Sequence, residues 1–393
     1  MSSPEFPSGV VPAESSLRSV MPSAAAALGV PEYENALDWP ATRRAIVVLV
    51  DGLGRAVLRR FGGHAPFLKQ AMAEHGRVLQ VPVPTTTAAS LTSLGTGVDP
   101  GEHGVVGYDV LDPDRGVVVN QLGGWDERTD PAAWQPLPTV LQRCQADGVE
   151  TVTVSLPAFA DSALTRASLR GGEFLGATTM AARGQRALQT VGRNRDRAFV
   201  YLYFNELDKA GHRTGVGSPD WLYALEEIDA VLRRLHSRLP ANTTLGITGD
   251  HGMVDVPATR RIDYAALTAD GDLERPELLD GVAHTAGEPR LVQLHVEAQA
   301  SAQRREALCA AWQETWGAHA WVLTRDEAIQ AGWFGARVTE RVRPRIGDLL
   351  IAAHGDLALY DGRRVGAHAF DMVGHHGAPT RAEREVPFLL LGA

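Results

Sequence analysis

The chain has 393 residues and a mass of 42.2 kDa, a length that predicts two or three domains or one large α/β domain with an insertion. Hydrophobic residues make up 44% and charged residues 22%, as in ordinary globular proteins. The net charge of −9 argues against a general nucleic-acid binder, which would present a basic face, although bound metal ions could still attract an anionic substrate. The two cysteines, Cys144 and Cys309, lie in unrelated contexts and predict neither a disulfide framework nor a cysteine-type zinc site.

No apolar run approaches the length of a transmembrane helix, so we expect no membrane partner. Residues 1–40 contain Pro, Ser, Glu and Ala but no basic segment followed by an apolar core, which argues against an export signal. We expect these residues to form an irregular arm that packs on the body, and we expect the protein to be cytoplasmic. The sequence does not indicate an oligomeric state.

Strands alternate with helices along most of the chain, which predicts a doubly wound, mainly parallel α/β sheet with helices on both faces. The first strand is almost continuously apolar, as expected of a central strand that is buried on both faces. The predicted strands are Ala45–Val50, Glu150–Leu156, Arg197–Phe204, Thr243–Thr248 and Val386–Leu391. The predicted helices are Ala65–His75, Thr139–Ala146, Thr179–Val191 and Pro219–Leu239.

This alternation stops between about Val256 and Phe370, which predicts an inserted smaller α+β lobe. The lobe is predicted to contain a strand at Arg290–Val296, a helix at Ala302–Trp316, and a hairpin formed by Asp348–Ala353 and Asp356–Tyr360. The predicted domains are an N-terminal arm at 1–40, a core at 41–255 and 371–393, and the inserted lobe at 256–370.

Aspartates and histidines follow several of the predicted strands. Ligands of open α/β sheets bind beyond the carboxyl ends of the strands, so these side chains are expected to meet at one edge. A mixed set of carboxylates and imidazoles of this size is what a pair of divalent ions requires. The residues are Asp51, Asp208, His212, Asp250, His251, His375 and His376.

Each of these residues also has an ordinary structural explanation. Asp51 could cap a helix or stabilise a turn, and Asp208 with His212, four residues apart, could form an exposed ion pair on a helix. Asp250 and His251 are harder to explain in that way, because flanking glycines let the backbone turn and present both side chains together. The whole set, in this chain order, predicts a two-metal site.

The segment Val83–Gly97 contains a proline and three threonines that enter a helix of small residues. A threonine there could serve only as the helix cap. A hydroxyl group at a helix N-terminus is also close to backbone N–H groups that suit a phosphate, and coordination to a metal would make it a nucleophile. On this reasoning Thr85, Thr86 and Thr87 are all candidates.

Together these motifs resemble the alkaline phosphatase superfamily and, within it, the type I phosphodiesterase/nucleotide pyrophosphatase family. The resemblance runs in order from Asp51 to the C-terminus. The family pattern Pro-Thr-x-Thr-x-x-Asn…Thr-Gly aligns without gaps with Pro84 through Gly97. The resemblance implies an alkaline phosphatase-like catalytic core in which Thr87 is the nucleophile and forms a phospho-threonine intermediate, with Thr85 and Thr86 as lesser candidates.

The resemblance also implies which residues hold the two divalent ions. One ion would be bound by Asp208, His212 and His376, and the other by Asp51, Thr87, Asp250 and His251. His375 is the alternative to His376, because the family motif is His-Gly and only His376 precedes Gly377. Zn²⁺ is preferred for this nitrogen-rich ligation, and Mn²⁺, which related phosphoglycerate mutases use, is the alternative.

Ser90 and His103 lie close in sequence to the predicted nucleophile and are not predicted metal ligands. The family often has Asn three residues after the nucleophile, where it donates to a phosphoryl oxygen, but this chain has Ser90 there, predicted to bind substrate. His103, in a Pro-Gly-Glu-His-Gly stretch that also resembles the family, is predicted to be structural.

Ser162 and Thr165 faintly resemble the nucleophile motif of alkaline phosphatases proper and could line the site. Neither cysteine lies in a sulfatase motif.

The sequence therefore predicts a metal-dependent phosphoric ester hydrolase that acts on a small phosphate ester, with a nucleotide as one option. A diesterase or nucleotide pyrophosphatase is the first choice, because residues 84–97 contain no Lys or Arg to meet the extra charge of a monoester. A monoesterase, a phosphonate hydrolase such as phosphonoacetate hydrolase, a phosphomutase and a non-catalytic phosphate-binding module remain alternatives.

Residues of other segments could alter that choice of substrate. Three arginines of the predicted lobe could reach the site and add positive charge, and three aromatic side chains could stack on a base or simply pack. These residues are Arg341, Arg343, Arg345, Tyr108, Trp125 and Trp134.

Overall fold

A computed structural model describes residues 6–193 and 196–392; the first five residues of the predicted arm, the pair 194–195 and Ala393 lie outside the described residues. The centre of the molecule is a seven-stranded sheet, in which six strands run in one direction and Glu385–Gly392 runs in the opposite direction. This confirms the predicted doubly wound, mainly parallel α/β fold. The strands in spatial order are Gly76–Gln80, Glu385–Gly392, Thr243–Gly249, Arg44–Val50, Ala198–Phe204, Glu150–Ser155 and Glu173–Gly176.

The apolar run of the Arg44–Val50 strand has a direct structural explanation. Alternate residues point to opposite faces of a strand. Val47 and Leu49 join one hydrophobic core, and Val48 and Val50 join the core on the other face. Because helices cover both faces, the strand has no side exposed to water and requires apolar residues at successive positions.

The helices agree with the predicted ones to within a few residues at each end. The α-helices are Val20–Ala27, Arg55–Phe61, Pro66–His75, Thr87–Thr96, Pro100–His103, Pro131–Trp134, Val140–Ala146, Ala163–Ser168, Met180–Arg193, Glu206–Thr214, Pro219–His236, Ala302–Trp316, Arg325–Gln330 and Arg381–Arg384. Short 3₁₀-helices occupy Ala13–Ser15, Leu17–Ser19, Pro157–Phe159, Ala258–Arg260, Pro276–Leu278, Arg343–Arg345 and Ala367–Asp371. In the part of the chain that the structure describes, no helix combines the length and apolar character needed to cross a membrane.

The prediction that residues 1–40 form an irregular arm is wrong for residues 20–27. Val20–Ala27 is an α-helix, and Leu17, Val20 and Met21 are fully buried in the same core as the central strand. Four consecutive alanines end the helix, and alanine has the highest helix propensity. Because the helix is buried on most sides, it lacks the amphipathic spacing from which helices are recognised.

A second, six-stranded antiparallel sheet forms the smaller lobe. Its strands in order are Ala320–Thr324, Leu349–Ala353, Leu291–Val296, Val282–Glu288, Asp109–Asp112 and Val117–Asn120. The last two strands lie outside the predicted lobe range of 256–370, so the lobe sheet is completed by a segment of the predicted core. Two-stranded pairings join Arg261–Asp263 to Ala358–Tyr360 and Val254–Asp255 to Gly374–His375.

The predicted hairpin in this lobe is wrong. Leu349–Ala353 is paired on both edges, with Leu291–Val296 on one side and Ala320–Thr324 on the other. It therefore has no free edge for the strand that follows it in sequence. That strand, Ala358–Tyr360, instead pairs in parallel with Arg261–Asp263.

Candidate metal centre

Three neighbouring strands of the central sheet end at one edge, and the predicted ligands follow them. Val50 pairs with Phe204 on one side and with Gly249 on the other, in parallel register. The next residues, Asp51 and Asp250, therefore emerge side by side. The helix that follows Phe204 brings a further carboxylate and an imidazole to the same edge.

The first group of ligands, which we call the aspartate-rich set, consists of Asp51, Asp250 and His251. The Nε2 atom of His251 lies 3.4 Å from Asp51 Oδ1 and 3.5 Å from Asp250 Oδ2, and all three residues are buried. The other oxygen of each carboxylate accepts a hydrogen bond, from the Tyr203 hydroxyl to Asp51 Oδ2 and from the Gly52 N–H to Asp250 Oδ1 at 3.1 Å. Each carboxylate is thus held by one oxygen and presents the other to the site.

The second group, which we call the histidine-rich set, consists of Asp208, His212 and His376. His212 Nε2 lies 3.3 Å from both Asp208 Oδ2 and His376 Nε2, and His376 Nε2 lies 3.8 Å from Asp208 Oδ1. In each set, the atoms available as ligands lie within 4.8 Å of one another. The structure therefore groups these six side chains as the family resemblance implies.

All three imidazoles are oriented in the same way. Each Nδ1 donates to a backbone carbonyl oxygen, so in the neutral ring Nε2 is the nitrogen without a proton, and this nitrogen faces the site. The pairs are His212 with Gly374 at 2.7 Å, His376 with Thr85 at 2.8 Å and His251 with Gly252 at 3.0 Å. Metal-binding histidines are commonly fixed by this kind of hydrogen bond.

The charge balance of the site favours bound cations. Burial, together with repulsion from Asp250 and Asp208, raises the pKa of Asp51 well above its usual range. Burial also raises the pKa of Asp250. Among the described residues, Asp208 Oδ1 and Asp250 Oδ2 are buried acceptors without a hydrogen-bond partner. Divalent ions would neutralise these carboxylates and satisfy both oxygens, so the donor set fits such ions.

Thr87 lies next to the aspartate-rich set. It is the first residue of the Thr87–Thr96 helix, and its Oγ1 lies 3.2 Å from His251 Nε2 and 3.5 Å from Asp51 Oδ1. The other two candidate threonines differ from it. The Thr85 hydroxyl is engaged with the backbone of Gly377 and Ala378, and Thr86 is the residue before the helix.

Comparison with known families agrees with this geometry. The model of the type I phosphodiesterase/nucleotide pyrophosphatase family matches residues 45–379, which includes every residue of both sets and Thr87. The chain belongs to this family. The predicted family and the prediction of a hydrolytic enzyme are confirmed. The family comprises type I phosphodiesterases and nucleotide pyrophosphatases and is metal-dependent.

Solved structures of two proteins share the fold of this phosphodiesterase-family chain. Murine ectonucleotide pyrophosphatase/phosphodiesterase 5, in an inactive threonine-to-alanine form in complex with AMP, matches with a TM-score of 0.67 and 17% identity over 89% of this chain and 88% of that chain. Phosphonoacetate hydrolase from Sinorhizobium meliloti, in complex with phosphonoacetate, matches with a TM-score of 0.65 and 21% identity over 90% of this chain and 91% of that chain.

Three other residues that were considered as site residues from the sequence lie outside both ligand sets. Ser90 is fully buried and its hydroxyl donates to the Asp250 carbonyl oxygen at 2.7 Å, so it supports the backbone of the aspartate-rich set and does not face the cavity. His375 is hydrogen-bonded to the Tyr360 hydroxyl at 2.6 Å and to a backbone carbonyl. His103 is fully buried and is hydrogen-bonded to the Ser93 hydroxyl and to the Val105 backbone N–H. Burial lowers the pKa of His103 to about 3.

A cavity of about 500 Å³ opens onto both the aspartate-rich set and the histidine-rich set. Tyr203, Lys209 and Arg364 line it, and none of the three was a predicted site residue. Tyr203 follows Tyr201 by two residues on the same strand, a period-two signal that could have marked a side chain pointing toward Asp51. Lys209 lies next to Asp208 in the ligand motif, and only the fold brings Arg364 to the cavity.

Some predicted cavity residues are elsewhere. Arg341 and Arg345 both donate to the Trp134 backbone carbonyl, and Arg343 pairs with Asp326, so the predicted arginines do not line the cavity. Trp125 and Trp134 pack edge to face with centroids 5.6 Å apart, also outside it. Three residues that were predicted to lie beside the ligands, Tyr108, Ser162 and Thr165, do line the cavity.

Proposed function

We propose that this chain is a metal-dependent phosphoric ester hydrolase of the phosphodiesterase or nucleotide pyrophosphatase type, with Thr87 as the nucleophile. The observation that carries the proposal is the position of Thr87 Oγ1, within 3.5 Å of both Asp51 Oδ1 and His251 Nε2, at the start of a helix. The threonine-to-alanine substitution in the inactive murine relative is consistent with this role.

We propose that the aspartate-rich set with Thr87 holds one divalent ion and that the histidine-rich set holds the other. When bound, the ions would supply Lewis acidity, lowering the pKa of the nucleophile and offsetting negative charge on the phosphoryl group. Zn²⁺ suits the three imidazole nitrogens and three carboxylates, and Mn²⁺ is the alternative.

The residues of the chain have distinct tasks in this proposal. Thr87 Oγ1 bonds to phosphorus while the bond to the leaving oxygen breaks, which gives a phospho-threonine; water then cleaves that bond and regenerates Thr87. N–H groups in the first turn of the helix have no intrahelical partner and can donate to the phosphoryl oxygens. Tyr203 holds Asp51 in place, and Ser90 holds the backbone at Asp250.

The substrate is proposed to be a small phosphate ester, with nucleotides included because the murine relative was solved with AMP. Diester cleavage remains the first choice, but one observation favours a second candidate, a monoester or phosphonate hydrolase. The Lys209 side chain lines the cavity, and its ammonium group makes no hydrogen bond or ion pair within residues 6–193 and 196–392. A free cation there could meet the additional negative charge of such substrates.

The test compares kcat/KM for bis(p-nitrophenyl) phosphate, p-nitrophenyl phosphate and phosphonoacetate on one preparation loaded with Zn²⁺ or Mn²⁺. Preference for the diester supports the first choice. Preference for the monoester or the phosphonate rejects it and supports the second candidate. Absence of turnover with every phosphorus ester in the presence of both metals would reject a hydrolytic function altogether.

A further inference from the structure

Arg290 and Glu383 form a buried ion pair between the smaller lobe and the core. Arg290 lies in the turn between the Val282–Glu288 and Leu291–Val296 strands of the lobe, and Glu383 lies on the Arg381–Arg384 helix, which precedes the last strand of the central sheet. Arg290 Nε donates to Glu383 Oε1 at 2.9 Å, and Nη2 donates to Oε2 at 2.8 Å. The two side chains are 1% and 0% exposed, so water does not screen the pair.

The lobe fixes the position of this arginine. The N–H groups of Arg290 that do not face Glu383 donate to backbone carbonyl oxygens of the lobe, those of Gly355 at 2.6 Å, Leu357 at 2.9 Å and Ala353 at 3.4 Å. A buried charged pair is tolerated when its remaining donors and acceptors are satisfied in this way. Arg290 is therefore held by the lobe, and it holds Glu383 in turn.

The Glu383 carboxylate is connected to the histidine-rich set. Its Oε1 also accepts from the Ala378 N–H at 3.1 Å, and Ala378 is two residues after His376. The Ala378 carbonyl accepts from the Thr85 hydroxyl at 3.0 Å, and the Thr85 carbonyl accepts from His376 Nδ1 at 2.8 Å. A continuous series of hydrogen bonds thus joins the carboxylate to the imidazole ring.

The Glu383 backbone is connected to the aspartate-rich set. Its carbonyl oxygen accepts from the Gly252 N–H at 2.8 Å, and the Gly252 carbonyl accepts from His251 Nδ1 at 3.0 Å. The two segments are in close contact, because a Cβ atom on Gly252 would lie 2.0 Å from the Ala382 carbonyl oxygen. Glu383 therefore supports one histidine of each ligand set.

We propose that Arg290 and Glu383 are positioning residues for the metal centre: through Arg290, the smaller lobe holds Glu383 where it orients the Nε2 atoms of His251 and His376 toward the two ions. This inference rests on the proposed function, because it requires both sets to bind metal. Neither Arg290 nor Glu383 belongs to a ligand set or lines the cavity, so the pair acts through the two histidines. An ion pair that only attached the lobe would stabilise the fold without changing metal affinity.

The test measures zinc affinity, which does not depend on hydrolysis. The zinc-loaded, full-length protein is equilibrated with increasing concentrations of a competing chelator, and the zinc retained per chain gives the dissociation constants. Arg290→Met keeps a long side chain but removes every donor to Glu383. Arg345→Met is the matched control, because Arg345 is also a buried arginine of the lobe but donates to the carbonyls of Gly104 and Trp134.

We expect Arg290→Met to weaken zinc binding roughly 10- to 100-fold, the usual cost of removing a group that orients metal ligands. Arg345→Met should lower the thermal midpoint but keep the wild-type zinc affinity. All variants are compared well below their thermal midpoints, so that each is folded. Adding Glu383→Gln to Arg290→Met should recover part of the affinity, because no unpaired charge remains and the amide oxygen can still accept from Ala378.

Two results would overturn the proposal while leaving the hydrolase function intact: wild-type zinc affinity in Arg290→Met, or an equal loss in Arg345→Met. If Arg290→Met does not fold, Arg290→Lys decides, because an ammonium group keeps the charge but cannot reproduce the paired bonds of a guanidinium group. Its zinc affinity should still be weaker, and a wild-type value would overturn the proposal. A wild type that binds zinc but cleaves no phosphorus ester would instead reject the proposed hydrolase function alone.

Discussion

The imidazole rings of His251 and His376 are stacked, with centroids 3.6 Å apart and planes inclined by 14°. One ring belongs to the aspartate-rich set and the other to the histidine-rich set. The two proposed ion sites are therefore adjacent. Two protonated rings could not remain in this arrangement, and burial together with repulsion from His251 lowers the pKa of His376 well below its usual range. His376 is thus kept in the neutral form that a metal ion requires.

The first prediction concerns metal content, and the two adjacent histidines provide a matched pair. Elemental analysis of the wild type should find about two divalent ions per chain, and chelation should abolish hydrolysis. His376→Ala should reduce the content to about one ion or fewer, because it removes a nitrogen ligand. His375→Ala should retain the wild-type content, since its ring is bonded to Tyr360 and the Val373 carbonyl. Equal metal loss in both variants would contradict the assignment.

The second prediction concerns the nucleophile. Thr87→Ala should keep its fold and metal content but lose several orders of magnitude in kcat, the usual scale of nucleophile removal. Thr86→Ala is the matched control, because Thr86 is the residue before the helix, lines the same cavity and should have a much smaller effect. Mass spectrometry of acid-quenched wild type should find phosphate on the Thr87 peptide. Phosphate on another peptide, or near-normal turnover by Thr87→Ala, would move the assignment.

The third prediction concerns the charge of the substrate. The chain has only two lysines, Lys69 and Lys209, and the first lies exposed on the Pro66–His75 helix. Lys209→Gln should lower kcat/KM for p-nitrophenyl phosphate more than for its bis ester, by roughly three- to tenfold, since the monoester carries more negative charge. Lys69→Gln should change neither value. Equal losses for both substrates in Lys209→Gln would exclude a charge-selective role.

The fourth prediction concerns the pH dependence of stability in the metal-free protein. Burial alone would lower the pKa of His212, but the Asp208 carboxylate outweighs it and raises the pKa to about 8. The folded state therefore holds this proton more tightly than the unfolded chain, whose histidines titrate near about 6.5. The stabilisation is fully present below that value and is lost as the pH rises through about 8.

Thermal melts in EDTA should accordingly show a midpoint that falls between pH 6.5 and pH 8.5. In His212→Gln the fall should be smaller, because the variant has no proton to lose at this position. A midpoint that rises over this interval, or an equal fall in the variant, would count against the pairing of His212 with Asp208.

Much of the site could be anticipated because its residues follow strands. The carboxyl ends of parallel strands meet at one edge, so Asp51 and Asp250 could be placed together before any coordinates were known. The contacts that distinguish neighbouring residues could not be anticipated. Whether Ser90 faces the cavity or the Asp250 carbonyl depends on the rotation of one helix, and no spacing in the sequence encodes it.

The errors in the fold have a similar origin. The Val20–Ala27 helix is buried on most sides, so it lacks the polar face that makes a helix recognisable. The Leu349–Ala353 strand has both edges occupied by partners from distant parts of the sequence, which local pattern does not reveal. Glu288 and Arg364 reach the cavity through the same long-range pairing of the lobe.

The second sheet has a consequence for the order in which the protein assembles during synthesis. Asp109 pairs with Gly287, so its hairpin leaves the ribosome 178 residues (287 − 109) before its partner strand. At roughly 5–20 residues per second, the nascent chain waits about 9–36 s with that strand edge exposed. His376 is translated later still, so the strands of the second sheet are all synthesised before the histidine-rich set can be completed.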